Sequence, residues 1–206
     1  MHAGALWGCG ILDYREVFDV DDEILKGRIL EHACGPTAFN AEQTARGQVV
    51  LSQDALFALP HSTLGEYINS AAENIHVKSR REGLRTFLAD FTTGLREGRY
   101  RAVSELPFPE TNFSFDCVLT AHSLFQDVHP NHLDYHLAIL LELARLAPEV
   151  RLYPLTDHTG TPALLLGPLL LALQQKNHGT EVREVRGVDG GASGAMLRIW
   201  ANECPL

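Results

Sequence analysis

From Gly27 onward the chain alternates short apolar runs, rich in β-branched residues, with longer segments of helical period. That alternation is the pattern of parallel strands joined by crossover helices, and it leaves few other folds open. The first predicted strand is Arg28 to Ala33, punctuated by Gly35 and Pro36. A short helix from Phe39 to Arg46 follows, closed by Gly47 where a C-terminal cap favours glycine, and Gln48 to Ser52 is the second strand. Thr63 and Glu66 have the spacing of a capping box, ahead of a helix with Leu64, Ile68, Ala71, Ala72 and Ile75 on its apolar face. Leu84, Phe87, Leu88 and Phe91 continue as a helix after a break near Gly83. Strands are expected at Tyr100 to Val103, Phe115 to Ala121 and Val150 to Leu155, with a helix from Asn131 to Leu146 ended by Pro148. Thr161 and Pro162 read as N-cap and first position of a helix running to about Gln175. Glu181 to Val188 and Ala195 to Trp200, with Asp189, Gly190 and Gly191 between them, close the chain as a hairpin. A simple doubly wound nucleotide domain would end on another parallel strand, so the antiparallel finish is informative.

The 206 residues suit one domain, 1–206, with residues 1–26 as an N-terminal lid or edge segment. No apolar run reaches the roughly 18 residues that a membrane span needs. The richest, Ala163 to Leu173, is broken by Gly167 and Pro168. Met1 to Gly10 lacks the basic start and apolar core of a secretory signal, and Cys9, Cys34, Cys117 and Cys204 show neither a C-x-x-C pair nor zinc-type spacing. A cytoplasmic protein with reduced thiols is expected. A formal net charge of −9, with no dominant cluster of Lys and Arg, argues against nucleic acid as partner. The expected partner is a small-molecule substrate, with no membrane; a homodimer or an activating partner stays open.

In open parallel sheets the ligand lies beyond the carboxyl ends of the strands, which directs attention to Leu30-Glu31-His32-Ala33-Cys34-Gly35-Pro36-Thr37-Ala38-Phe39. Glu31 puts a carboxylate at the strand's end, small Ala33 keeps the turn tight, and Gly35 permits close backbone approach. Asp54 lies 23 positions beyond Glu31, just past the second strand. That is close to the roughly 20-residue offset at which an acidic side chain meets a ribose hydroxyl pair. Taken singly, these are an ordinary turn and an ordinary loop carboxylate.

Together, the segment resembles motif I of the class I S-adenosylmethionine-dependent methyltransferases, usually acidic-x-Gly-x-Gly-x-Gly, with Ala33 and Thr37 in place of two glycines. The resemblance runs from about Asp13 to Trp200. It takes in the loop Leu106-Pro107-Phe108-Pro109, the strand Phe115-Asp116-Cys117-Val118-Leu119 and the closing hairpin. It implies an α/β, Rossmann-like methyltransferase fold: a seven-stranded, mostly parallel sheet with an antiparallel C-terminal hairpin strand and helices on both faces. It also implies S-adenosylmethionine as cofactor and methyl transfer to an unidentified small acceptor. By position it sets Glu31 near the cofactor's amino group and loop, Gly35 beside its amino-acid moiety with Ala33 and Cys34, and Asp54 on the ribose hydroxyls next to Ala55. Val103 and Ser104 would flank the adenine. Ala102 stands where the family often has an acidic residue, which leaves adenine recognition to backbone amides or to Glu105.

Methyl transfer from a sulfonium is an in-line displacement that asks for alignment, exclusion of water and, for poor nucleophiles, removal of a proton. Thr120, Ala121, His122 and Ser123 end the fourth strand; Thr120 is read as a cofactor neighbour and His122 as the catalytic base, the side chain there that titrates near neutral pH. His132 and His136, near His129 and Asp134, have the i, i+4 spacing of zinc ligands but lack the glutamate beside the first histidine, and no metal is assigned. Trp7, Tyr14 and Phe18 either fold over the cofactor, with Tyr14 as the contact, or pack on the domain's edge. Ala33, Thr37 and Ala102 keep open a second reading, a catalytically silent or partner-dependent binding protein on the same fold. A nicotinamide oxidoreductase would need Gly-x-Gly-x-x-Gly, of which Gly35 alone is present, and the Gly-x-Ser-x-Gly elbow of hydrolases does not occur.

Overall fold

The computed structural model describes residues 6–103, 105–121, 125, 132–157, 159–188 and 193–202. The apolar runs become the strands β1 (Ile29–His32), β2 (Val50–Gln53), β3 (Tyr100–Arg101), β4 (Cys117–Ala121), β5 (Glu149–Tyr153), β6 (His178–Val185) and β7 (Gly194–Ala201). The helices are α1 (Ile11–Val17), α2 (Asp22–Lys26), α3 (Phe39–Ala45), α4 (His61–Ala72), α5 (Lys78–Arg96), α6 (Leu133–Leu146) and α7 (Leu166–Gln175). The strands form one sheet in the order β3-β2-β1-β4-β5-β7-β6. β1 to β5 pair in parallel, while β7 runs antiparallel to both β5 and β6. This is the seven-stranded arrangement the resemblance implies. The order reverses between β1 and β4, so the ligand crevice of such a sheet lies at the carboxyl ends of those two strands.

Strand periodicity sends alternate side chains to opposite faces. Ile29, Val50, Cys117 and Leu119 pack with Tyr14 and Phe39 of α1 and α3. Leu30, Leu51, Val118, Val150 and Leu152 pack with Leu140 and Leu143 of α6 and Leu169 and Leu173 of α7. Each of the fully buried leucines among them, Leu51 excepted, stabilises the fold by about 1.5–3 kcal/mol relative to exposure. A third cluster, Phe57, Leu64, Ile68, Phe87, Phe91 and Tyr100, holds α4 and α5 against the edge at β3. Among the described residues, no helix is long and apolar enough to cross a membrane.

Several local expectations change. Gly83 does not break a helix: α5 runs through it, and the break falls at residues 73–77. A Cβ on Gly83 would lie 1.9 Å from the carbonyl oxygen of Gly8, and one on Gly8 (φ +76°) 2.0 Å from the carbonyl oxygen of Arg80. The N-terminal segment therefore lies directly on the α5 backbone, and the Arg80 Nε–H donates to the Trp7 carbonyl at 2.9 Å. α4 starts at His61 behind Pro60 without a side-chain cap, so Thr63 and Glu66 form no capping box. Thr161 and Pro162 do not start α7: Pro162 bridges to Thr156, and the Asp157 carboxylate accepts from the Thr159 and Thr161 amides. β6 begins at His178 and ends at Val185, and Asp189, Gly190 and Gly191 lie outside the described residues. Gly47 does cap α3, at φ +77°.

Candidate functional site

The turn leaving β1 takes the left-handed conformation twice, at Ala33 (φ +52°) and Gly35 (φ +74°). Glycine does this freely, whereas an alanine carries about 1 kcal/mol of strain, so Ala33 occupies a backbone shape that favours glycine. The Ala33 amide donates to the Gln53 carbonyl at 2.7 Å, tying the turn to the end of β2. The Gly35 amide donates to Asp54 Oδ2 at 2.8 Å, and the Leu56 amide to Oδ1 at 2.9 Å. Asp54 thus joins the turn after β1 to the single helical turn Ala55–Ala58, with 8% of its surface exposed.

Glu31 points toward α1 and α3 and is fully enclosed. Its carboxylate accepts from the Tyr14 and Ser52 hydroxyls and from Thr37 Oγ1 at 2.6 Å. Asn40 Nδ2 donates to Ser52 at 2.9 Å, extending the network into α3. Burial pushes the Glu31 carboxyl up, the three hydroxyl donors pull it partly back, and the outcome stays above the ordinary value. The sequence singled out Glu31 but not Thr37 or Ser52 as its partners. Thr37, at a position of the motif where glycine is usual, supplies a hydroxyl to this carboxylate.

Tyr14 is a core residue, its ring stacked on Phe39 at 4.1 Å, and is neither a lid nor an edge residue. Trp7, not Tyr14, is the aromatic residue of this segment that lies on the turn. A Cβ on Gly35 would lie 2.2 Å from Trp7 Nε1, so the indole rests on the glycine of the turn. The Gly8 amide bonds to the Pro36 carbonyl at 2.9 Å and the Ala38 amide to the Cys9 carbonyl at 2.8 Å, which fastens this segment along the turn. The Trp7 ring stands edge-on to Tyr67 at 5.5 Å.

The other expected residues are spread around this centre. Cys34 turns inward, with Sγ 3.4 Å from the His32 carbonyl, and burial pushes its thiol well up. Ala55 is exposed at the start of the helical turn, half-buried Val103 donates its amide to the Asp54 carbonyl at 3.4 Å, and Glu105 is exposed. Thr120 is buried on the opposite sheet face, its Oγ1 3.1 Å from His32 Nδ1. Ser104, His122 and His129 lie outside the described residues. His132 is exposed ahead of α6 while His136 is buried within it, so the two do not share an exposed helical face. Among the described residues no group of three His, Cys, Asp or Glu side chains could hold a metal ion.

No protein-family model matches the chain. An uncharacterized protein of Methanocaldococcus jannaschii is 23% identical over 209 residues, which covers 88% of this chain and 91% of that protein. Among solved structures, a magnesium protoporphyrin IX methyltransferase of Synechocystis with bound cofactor is similar over 88% of this chain and 73% of its own, at 14% identity and a TM-score of 0.47. The cyclase SpnF is similar over 99% of this chain and 89% of its own, at 14% identity and a TM-score of 0.48.

Proposed function

We propose that this chain binds S-adenosylmethionine across the carboxyl ends of β1 and β2 and transfers its methyl group to a small-molecule acceptor. The observation that carries the reading is the bond from the Gly35 amide to Asp54 Oδ2, made beyond the carboxyl ends of the paired strands β1 and β2. It brings together the two groups that the resemblance assigns to the cofactor's amino-acid and ribose ends. The Gly35 and Leu56 amides hold the two Asp54 oxygens in place, and a carboxylate so fixed is an acceptor suited to a ribose hydroxyl. The bound cofactor would supply an electrophilic methyl group on a sulfonium cation. Glu31, through Thr37, holds the turn in shape from below, and the Trp7 indole excludes water from above. Because the indole rests on Gly35, it must swing aside for a ligand to reach the turn. His122 is the residue proposed to take the acceptor's proton.

Other contacts at the turn support the second reading: Trp7 and the Glu31 network fill from within the chain what a cofactor would otherwise touch, as a silent scaffold would. Incubation with methyl-labelled S-adenosylmethionine and fractionated small-molecule extracts separates the two. Labelled product formed together with S-adenosylhomocysteine supports the enzyme. Cofactor binding with no labelled product in any fraction supports the scaffold.

A further inference from the structure

On the sheet face opposite Glu31, three buried polar atoms in one cluster have no hydrogen-bond partner among the described residues: His32 Nε2, Gln53 Oε1 and Glu110 Oε2. His32 and Gln53 are register partners at the ends of β1 and β2, and each is only 3% exposed. Thr120 of β4 sits beside His32 in the next register pair and meets its Nδ1 at 3.1 Å. Gln53 Nε2 donates to Glu110 Oε1 at 3.0 Å, so the loop after β3 closes the row. That loop is held rigidly: Arg145 donates to the Phe108 and Glu110 carbonyls at 3.0 and 2.8 Å, and Glu142 accepts the Phe108 amide at 2.8 Å. The Phe108 ring stands 5.5 Å from the His32 imidazole. Folded proteins leave few buried polar atoms unpaired, and three in one preorganised cluster at the ligand-binding end of a parallel sheet call for a partner.

We infer that His32, Gln53 and Glu110 form a subsite for the N–H-bearing group of a small ligand, a ring amine or a primary amine. An amide oxygen and a carboxylate oxygen can only accept, so a carbonyl or phosphate would set oxygen against oxygen, whereas an amino group offers a hydrogen to each. His32 takes either role at Nε2 according to which ring nitrogen holds its proton, and burial keeps the ring neutral, its pKa lowered to about 4. Phe108 supplies a flat face for a planar ring or a cation. The amine comes from one of two sources, the aminopurine of the cofactor or the methyl acceptor. Both rest on the proposed function, but recognition of the amine itself is read separately from cofactor binding.

The test labels histidine with 15N, assigns the His32 ring by its loss in His32→Gln, and follows Nε2 by NMR. The probes are S-adenosylhomocysteine, its 6-oxo counterpart S-inosylhomocysteine, free adenosine and benzylamine. For an aminopurine, S-adenosylhomocysteine shifts the His32 signal and binds about tenfold more tightly than the 6-oxo compound, the effect of one hydrogen bond, and Gln53→Leu removes that preference. For an acceptor amine, S-adenosylhomocysteine leaves the signal in place, and benzylamine shifts it and binds about tenfold more weakly to Gln53→Leu. Where S-adenosylhomocysteine fails to bind yet adenosine or benzylamine shifts His32, the subsite stands and the cofactor reading falls. If no probe moves the His32 signal, the inference is overturned and water fills the cluster. The wild-type shifts decide this even if Gln53→Leu does not fold, and Glu110→Gln, which keeps the side chain's shape, then takes its place.

Discussion

An alanine in the middle of a helix normally improves on a glycine by about 1 kcal/mol, because the glycine gives up more backbone freedom on folding. At Gly83 the sign reverses. The added Cβ would lie 1.9 Å from the Gly8 carbonyl oxygen and 2.8 Å from its carbonyl carbon. Gly8 has little room to retreat: its own Cα faces the Arg80 carbonyl, its amide is held by Pro36 at 2.9 Å, and Arg80 holds the neighbouring Trp7 carbonyl. Overpacking costs about 1–3 kcal/mol, and since the neighbour is backbone the upper end applies, leaving Gly83→Ala about 2 kcal/mol less stable than the wild type. Gly65 in α4 is the control, because a Cβ there meets nothing within 4 Å. Gly65→Ala gains up to about 1 kcal/mol, so the two substitutions differ by about 3 kcal/mol. In urea unfolding followed by circular dichroism, with a slope of about 2 kcal/mol/M, the midpoint falls by about 1 M for Gly83→Ala and rises by about 0.5 M for Gly65→Ala. A Gly83→Ala protein as stable as the wild type would refute the packing of the N-terminal segment on α5, and with it the placement of Trp7 over Gly35.

Burial lowers the His32 pKa from 6.5 to about 4, so the unfolded chain takes up the proton first. The stability His32 contributes is complete above about pH 6.5 and falls by about 3 kcal/mol on the way to pH 4. His32→Phe removes that dependence, and urea midpoints that change equally with pH in both proteins would contradict it. Glu31 has the opposite sign: its folded pKa lies above the unfolded 4.5, so its contribution is complete below about pH 4.5 and is lost as pH rises through the folded value. Glu31→Gln therefore gains relative to the wild type as pH rises, and a gap independent of pH would count against the buried network. Gly35→Ala combines a backbone at φ +74° with a Cβ 2.2 Å from Trp7 Nε1, so it displaces the indole and shifts tryptophan emission to the red. Unchanged emission would mean the indole does not rest there.

The sheet was legible because its strands are short β-branched runs between glycine and proline punctuation, and the closing antiparallel pair was legible for the same reason. Gly83 was misread because its constraint comes from Gly8, 75 positions earlier, which no local pattern carries. Thr63 with Glu66, and Thr161 with Pro162, have the right chemistry for helix starts. Pro60 and the turn around Asp157 settle the chain differently. At the site, Asp54 was singled out by its 23-position offset from Glu31, and Gly35 as the glycine of the turn after the first strand. The roles of Thr37, Ser52 and Gln53 were missed, although polar residues ending apolar strands were a signal: strand alternation sends Glu31 and Ser52 to one face and His32 and Gln53 to the other.

Calorimetric titration of the wild type and Asp54→Ala with S-adenosylmethionine and S-adenosylhomocysteine decides whether the cofactor is held at Asp54. The wild type binds both saturably, and a folded Asp54→Ala protein binds neither. Absence of heat with either ligand, or binding unaffected by the substitution, would contradict it.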